Sequence, residues 1–381
     1  MVPVSTSRPV LIVAVTGRAI AASAARGGFP VVVLDYFADR DTVAVAHDAR
    51  AVVAAGAWRF DRRALLRLAV ELVPPGASAG LVYGAGFEGA PELLARLAAG
   101  RVLLGNPPEV VARVRDPAQI FPLFDRLGIS HPEVRSTPPE DPAGWLVKRA
   151  GGAGGAHIRP ATRRWIPRDG YFQRHTAGVP HSVLFLADGR RGCIVGVNRQ
   201  WTADARPDRP FLYGGAVGGV LLPPPLAAAL PAHLDQLIAA TGLVGLNGLD
   251  FLVEDERWSA LEVNPRPTAT LDLYDEDVPA GLFALHVEAC HGLLPAALPH
   301  GARHRAHAVV HASIPFEVSA EFSFPVGCRD IPVPGSRFSV GDPLCSIHAE
   351  GASIADALTQ LAERRRSLET ALRAHTVPSL A

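Results

Sequence analysis

Apolar and polar positions follow three regimes along the chain. In the first, residues 10–15 form a continuous apolar run, the pattern of a strand buried on both faces of a parallel sheet. Thr16-Gly17-Arg18 follows as a turn, residues 19–26 as an alanine-rich helix ended by Gly27-Gly28, and residues 31–34 as the next strand, closing at Asp35. Further α/β units continue the pattern. Residues 61–72 are amphipathic, 81–84 a strand with a glycine turn and Phe87-Glu88 just beyond, 91–98 a helix and 102–104 a short strand. Residues 106–128 look helical, with prolines at 107, 108, 117 and 122, and lead into a second domain.

In the second regime strands dominate. Residues 145–149 predict a strand that carries Lys148 into a loop holding Gly151, Gly152, Gly154 and Gly155. Glycines let backbone amides approach phosphate closely, and a lysine on the preceding strand can address the same phosphates. No Gly-Lys-Ser/Thr closes the loop, so it is not a P-loop. Residues 171–175 read as an edge strand or connector. Residues 182–186 and 194–197 read as paired strands around the Asp188-Gly189 turn. The glycine-rich stretch 213–219 reads as a loop, near a site or inert, and residues 231–241 as a helix.

The most informative stretch follows. Residues 249–253 and 258–263 predict a β-hairpin around the polar turn 254–257. Alternation puts Glu262 and Asn264 on one face, with Leu261 and Val263 on the other. If Asp250 pairs with Glu262, two carboxylates and an amide oxygen meet on one patch. Like charges opposite each other in a ladder repel. A hard divalent cation reverses that sign, and oxygen ligands suit Mg²⁺. A solvent-facing polar hairpin is the other reading. Pro265 and Pro267 close the strand and fix Arg266 beside the acids.

The third regime is a tail module. Its strand pattern at residues 308–310 scatters His304, His307 and His311 across both faces, which speaks against a zinc site. Residues 342–351 read as a strand and turn. Residues 353–375 form a long polar-faced helix whose Arg364-Arg365-Arg366 run reads as solvated.

Composition narrows the function classes. A chain of 381 residues holds two or three domains. Its 37 basic and 37 acidic residues cancel, leaving no excess to attract nucleic acid or an anionic membrane. Residues 1–9 lack the regions of a signal peptide, and no apolar run reaches the ~20 residues that span a bilayer. Cys193, Cys290, Cys328 and Cys345 form no Cys-x-x-Cys pair and read as reduced, which points to the cytoplasm. The first βα turn has Gly17 but not the three glycines of a dinucleotide fingerprint, so NAD binding is rejected. That turn still offers N–H groups at a helix N-terminus, where Gly17 and Arg18 could take a substrate carboxylate; an ordinary βα turn looks the same. Lysine occurs once, at Lys148, in a chain that otherwise uses arginine. A compact ammonium and a planar guanidinium are not interchangeable, so this position is a candidate for phosphate binding, or a chance survivor.

The order of parts resembles the ATP-grasp superfamily: a Rossmann-like domain, a lysine strand with a glycine loop, a hinge strand, then Asp250 and Glu262-Val263-Asn264-Pro265-Arg266. Val15-Thr16-Gly17-Arg18-Ala19, Asp35-Tyr36-Phe37, Asp41-Thr42 and Gly341-Asp342-Pro343 look like the predicted carboligases related to biotin carboxylase, common in methylotrophs and methanogens. The resemblance implies an α/β chain, α+β in its nucleotide domain, with the ATP-grasp fold. Residues 1–110 would be Rossmann-like, 111–180 the linker and lid, 181–300 the metal-bearing subdomain, and 301–381 an α+β module packed on the core. It further implies Lys148 on the ATP phosphates, residues 151–155 as the lid, and Gln173, Arg174 and His175 as the adenine hinge. Asp250, Glu262 and Asn264 would hold one or two Mg²⁺ ions, or Mn²⁺. Arg266 would hold the acyl phosphate or an oxyanion. Relatives carry a second lysine ahead of the lid, where Arg113 or Arg115 must serve here. No acid lies in residues 176–182 to take the ribose. The implied activity is an ATP-dependent carboxylate–amine or carboxylate–thiol ligase, in C1-carrier cofactor (methanofuran or tetrahydromethanopterin) biosynthesis, and a homodimer is compatible with it. An ATP-grasp kinase and a non-catalytic ATP-binding regulator are the alternatives.

Overall fold

The computed structural model describes residues 7–53, 59–162, 168–203, 208–299 and 301–375; residues 1–6 of the stretch read for a leader lie outside it. The N-terminal unit is a parallel sheet with strand order Asp48–Ala51, Val31–Asp35, Val10–Val13 and Gly80–Tyr83. The apolar run at its centre is buried throughout, as a strand covered on both faces requires. Helix Arg18–Arg26 makes the expected crossover, and helix Arg62–Leu72 starts at Asp61, whose carboxylate accepts from the Arg63 and Ala64 N–H groups. Residue 103 adds only a single parallel bridge, to Leu81.

The proline-interrupted stretch is two helices, Pro108–Arg115 and Pro117–Leu127, each opening on a proline where the missing N–H costs nothing. They lead to a four-stranded sheet in the order Val134–Arg135, Gly170–Arg174, Trp145–Arg149, Arg159–Pro160. The strand Gly170–Arg174, read as an edge or connector, is therefore interior: Gln173 is paired with Val134 on one side and Leu146 on the other.

The largest sheet has eight strands, in the order Arg257–Asn264, Val244–Glu254, Val179–Asp188, Gly192–Thr202, Tyr213–Gly218, His304–His311, Pro343–Gly351, Cys328–Arg329. Every pairing in it is antiparallel. Helices Pro117–Leu127 and Pro224–Thr241 cover one face, packing Phe121, Phe124, Leu234 and Leu237 against Phe185, Phe251 and Val263. The second helix starts seven residues earlier than its pattern predicts, at Pro224, and accommodates Pro231 within it.

The glycine-rich stretch expected to be a loop is a strand of this sheet. Its glycines are set by close approach, not by turning. A Cβ at Gly215 would lie 2.3 Å from the His307 carbonyl oxygen and 2.6 Å from the Trp201 ring. Through this strand the tail module joins the central sheet, with Gly215 opposite Ala308. Helix Ile354–His375 closes the module, and its Arg364 is not merely solvated, because it donates to the His348 carbonyl. Among the described residues no helix is long and apolar enough to cross a membrane.

Candidate active site

A cavity of about 1700 Å³ runs between the parallel sheet, the four-stranded sheet and the eight-stranded sheet. The hairpin forms its floor. Asp250 stands opposite Glu262, the pairing on which the metal reading was conditional, while Leu249, Phe251 and Val263 point into the core. A bulge between Asp250 and Phe251 makes Leu261 an extra residue. Leu261 therefore lines the cavity and does not share the core face with Val263, contrary to simple alternation. Burial and the facing Glu262 push the Asp250 carboxyl up to about 7. Asn264 Nδ2 donates to Asp250 Oδ2 at 2.9 Å, and Gln200 Nε2 donates to Oδ1 at 3.3 Å. Burial alone would raise Glu262 as well, but Arg115, His157 and Lys148 outweigh it and hold it below its ordinary value. Among the described residues no three His, Cys, Asp or Glu side chains are grouped as a metal site. The hairpin has two carboxylates and an amide.

Lys148 lies on the strand directly across from this pair and is 4% exposed. Burial lowers its pKa, and Glu262 works against that shift. Of the two arginines considered for the second cation, the structure brings in Arg115 and leaves Arg113 exposed. Arg115 reaches Glu262 Oε2 at 3.2 Å, donates to the Val263 carbonyl at 3.0 Å, and donates to the Gly152 carbonyl. One side chain thus ties the strand Arg257–Asn264 to the glycine loop.

That loop is folded over the cavity. Gly151 abuts Glu88 and Gly89, and the Gly154 carbonyl accepts from the Tyr213 N–H at 3.0 Å. Gly155, with φ +72, lies so close to Phe211 that an added Cβ would sit 1.7 Å from its carbonyl oxygen. Beyond the loop, the Arg174 and His175 N–H groups are taken by the Glu133 and Gly144 carbonyls. The Gln173 side chain lines the cavity with Nε2 buried and without a partner, and so does Thr176 with its Oγ1. Two orphaned polar atoms at one end of a cavity are a signature of a ligand contact.

Arg266 is held on three sides. Its Nε donates to Glu88 Oε1 at 2.5 Å, Nη2 to Asn264 Oδ1 at 3.3 Å, and Nη1 to the Pro267 carbonyl at 3.2 Å. Burial would raise the Glu88 carboxyl, but Arg266 and Arg115 hold it below its ordinary value. The Gly17 and Arg18 turn has its donors engaged. Gly17 N–H goes to Asp35 at 2.9 Å. Arg18 grips Asp272 with both Nη atoms and donates from Nε to Asp330 at 3.0 Å.

Sequence reasoning passed over Glu88, His157, Thr176, Asp272 and Asp330 as site residues. Glu88 had a signal, a lone acid just after a strand-end glycine turn. Asp272 and Asp330 come to the cavity through contacts with Arg18 across 254 and 312 residues, His157 follows the glycine loop and packs on Gly152, and Thr176 follows the strand Gly170–Arg174.

A family model for the ATP-grasp domain matches residues 116–270. No curated protein matches the chain. Biotin carboxylase from Campylobacter jejuni, solved as a β-γ-ATP complex, superposes with a TM-score of 0.72 at 13% identity, covering 97% of this chain and 95% of that one. L-amino acid ligase from Bacillus licheniformis gives 0.69 at 12% identity, covering 94% and 98%. Pyruvate carboxylase from Rhizobium etli gives 0.72 at 13% identity over 94% of this chain, which spans 37% of that protein's length. The chain carries an ATP-grasp domain and has the ATP-grasp fold.

Proposed function

We propose that the protein is an ATP- and magnesium-dependent ligase that joins a carboxylate to an amine, or to a thiol, through an acyl phosphate. The observation that carries this reading is the in-register pair Asp250 and Glu262, facing Lys148 and Arg115 beneath a folded glycine loop. Buried like charges in register need a cation. Two carboxylates opposite each other with the Asn264 amide beside them form an oxygen-donor set of the kind that fits a hard divalent cation. Asp250 and Glu262, with Asn264, would hold one or two Mg²⁺ ions, or Mn²⁺, supplying charge neutralisation at the β- and γ-phosphates. Gln173 and Thr176 carry the free donors and acceptors that a nucleobase and ribose would complete, in place of the missing acid.

In the reaction proposed, a carboxylate oxygen attacks the γ-phosphorus and the bond to the bridging oxygen breaks, releasing ADP with the electron pair. The amine nitrogen then attacks the acyl carbon and phosphate leaves. Positioning and charge carry most of the catalysis. Lys148 and Arg115 add positive charge along the phosphate path. Arg266 lines the cavity next to the hairpin, where it would face the acyl phosphate, and Glu88 fixes its orientation. The folded loop excludes water from an intermediate that hydrolysis would waste.

The kinase alternative transfers phosphate to a hydroxyl and needs no amine. An ADP-release screen of carboxylic acids, with and without amines and with hydroxylamine as a trap, separates the two. Hydroxamate formation and amine-dependent turnover support the ligase; a stable phosphorylated product with no amine requirement supports the kinase. A role in C1-carrier cofactor biosynthesis rests on the sequence resemblance, and a homodimeric state is supported by the dimer of the similar biotin carboxylase domain of Hydrogenobacter thermophilus 2-oxoglutarate carboxylase.

A further inference from the structure

The end of the cavity away from the glycine loop is built from three parts of the chain. Arg18 comes from the N-terminal unit, Asp272 from the turn after Arg266, and Asp330, Ser346, His348 and His307 from the tail module. Its charge balance runs opposite to a carboxylate site. One guanidinium meets two carboxylates that line the wall: it grips Asp272 and approaches Asp330 at 3.0 Å. Arg18 and Ser346 are buried and the Asp272 side chain is 8% exposed, so the excess negative charge sits in a low-dielectric wall. Burial holds His348 near 3 and His307 near 4, so neither imidazole offsets it. The nearest further cation, Arg329, is paired with Glu276 at 3.1 Å.

A second observation points to a ligand. His307 is 3% exposed and its Nε2 is engaged by the Tyr213 hydroxyl at 2.7 Å, yet Nδ1 is buried with no partner. Either tautomer leaves that atom unsatisfied. The carboxylates of Asp272 and Asp330 and the unpartnered imidazole nitrogen suit an organic cation with N–H donors.

We propose that this wall, with Asp272 and Asp330 as its anionic partners and His307 beside them, is the subsite for the ammonium group of the second substrate, a primary amine. The inference deepens the ligase reading and rests on it. It also reassigns the Gly17–Arg18 turn: Arg18 orients the two aspartates and is a positioning residue, not a carboxylate anchor. In the ligation, the ammonium sheds one proton before its nitrogen attacks. The second N–H proton leaves as the amide forms. One proton ends on the departing phosphate and the other goes to solvent, so charge and atoms balance.

The test is calorimetric titration of the full chain, loaded with Mg²⁺ and a non-hydrolysable ATP analogue, with size-matched pairs. n-Hexylamine is set against hexanoate, and 2-phenylethylamine against 3-phenylpropionate. The amines are expected to bind, with affinity at least tenfold weaker in Asp330→Asn and weaker in His307→Ala. Melting curves confirm that the variants fold, and the wild-type amine-to-acid comparison decides the matter if they do not. No amine binding, amine binding unchanged in folded variants, or acid binding that is lost in Arg18→Met overturns the proposal. The titrations are repeated without nucleotide. Failure of the analogue to bind then counts against the ligase reading, while the amine result still stands by itself. Acyl-phosphate trapping with no amine binding sinks this inference and leaves the ligase reading in place.

Discussion

Lys148 and the acid pair make predictions that depend on single atoms. Lys148 is buried beside Arg115 and Glu262 and faces the cavity. Lys148→Arg keeps the charge but directs its donors in a plane. A misplacement of about 1 Å costs on the order of 10²-fold in rate, or ~2.7 kcal/mol of barrier. We expect kcat to fall by that order, and the Kd for ATP to change far less; an arginine variant within a few-fold of wild type would remove the lysine's special standing. Asp250→Asn and Glu262→Gln should both abolish turnover, but they should differ in stability. The Asp250 carboxyl titrates near 7 in the fold and near 3.9 when unfolded. A carboxyl raised by folding makes stability fall as pH rises between those values, with the full cost present above about 7. The melting temperature of Asp250→Asn should therefore gain on wild type as pH climbs from 4 to 8. Glu262→Gln removes the carboxylate paired with Arg115, leaves that guanidinium only its carbonyl partners, and should lose on the order of 3 kcal/mol. Parallel thermal melts against pH check both signs. Alternation allowed the Asp250–Glu262 pairing only conditionally, because the bulge that shifts the register by one residue and sets the two carboxylates opposite each other leaves no mark in the pattern. The choice between Arg113 and Arg115 was not readable either, since two residues apart on a helix point to different sides.

At the scale of elements, the glycine loop is the sharpest case. Gly154 and Gly155 both have positive φ, yet only Gly155 is pressed against a neighbour, the Phe211 carbonyl. Gly154→Ala should cost about 1 kcal/mol of backbone strain and little activity. Gly155→Ala should hold the loop away from the cavity and let water reach the acyl phosphate. Its expected signature is more ADP released per mole of amide formed; an unchanged ratio would separate the loop from intermediate protection. The βαβ unit, the hairpin and the lysine strand were all legible as elements because each has a clear period or run. The strand Tyr213–Gly218 was not. Glycine there marks crowding by the His307 backbone and the Trp201 ring, and a sequence shows the missing side chain without the neighbour that excludes it.

At the scale of the molecule, the sequence suggests a tail module beginning near residue 301. The structure shows its strands continuing the central sheet. Pairing of Gly215 with Ala308 is non-local and leaves no trace in composition. A chain ending at residue 300 should consequently be insoluble: it bares the length of Tyr213–Gly218 as an unpaired edge, a template for aggregation. Soluble fraction on expression measures this, and a well-behaved truncated monomer would contradict it. The same pairing imposes an order on birth. His304 lies 86 residues after Gly218. At ~5–20 residues per second of synthesis, the nascent edge waits roughly 4–17 s for the strand that covers it. The far wall of the cavity is laid down last of all, with Asp330, Ser346 and His348. An interrupted ribosome thus releases a chain that has the lysine, the glycine loop and both acids, but an unfinished sheet and no wall for a second substrate.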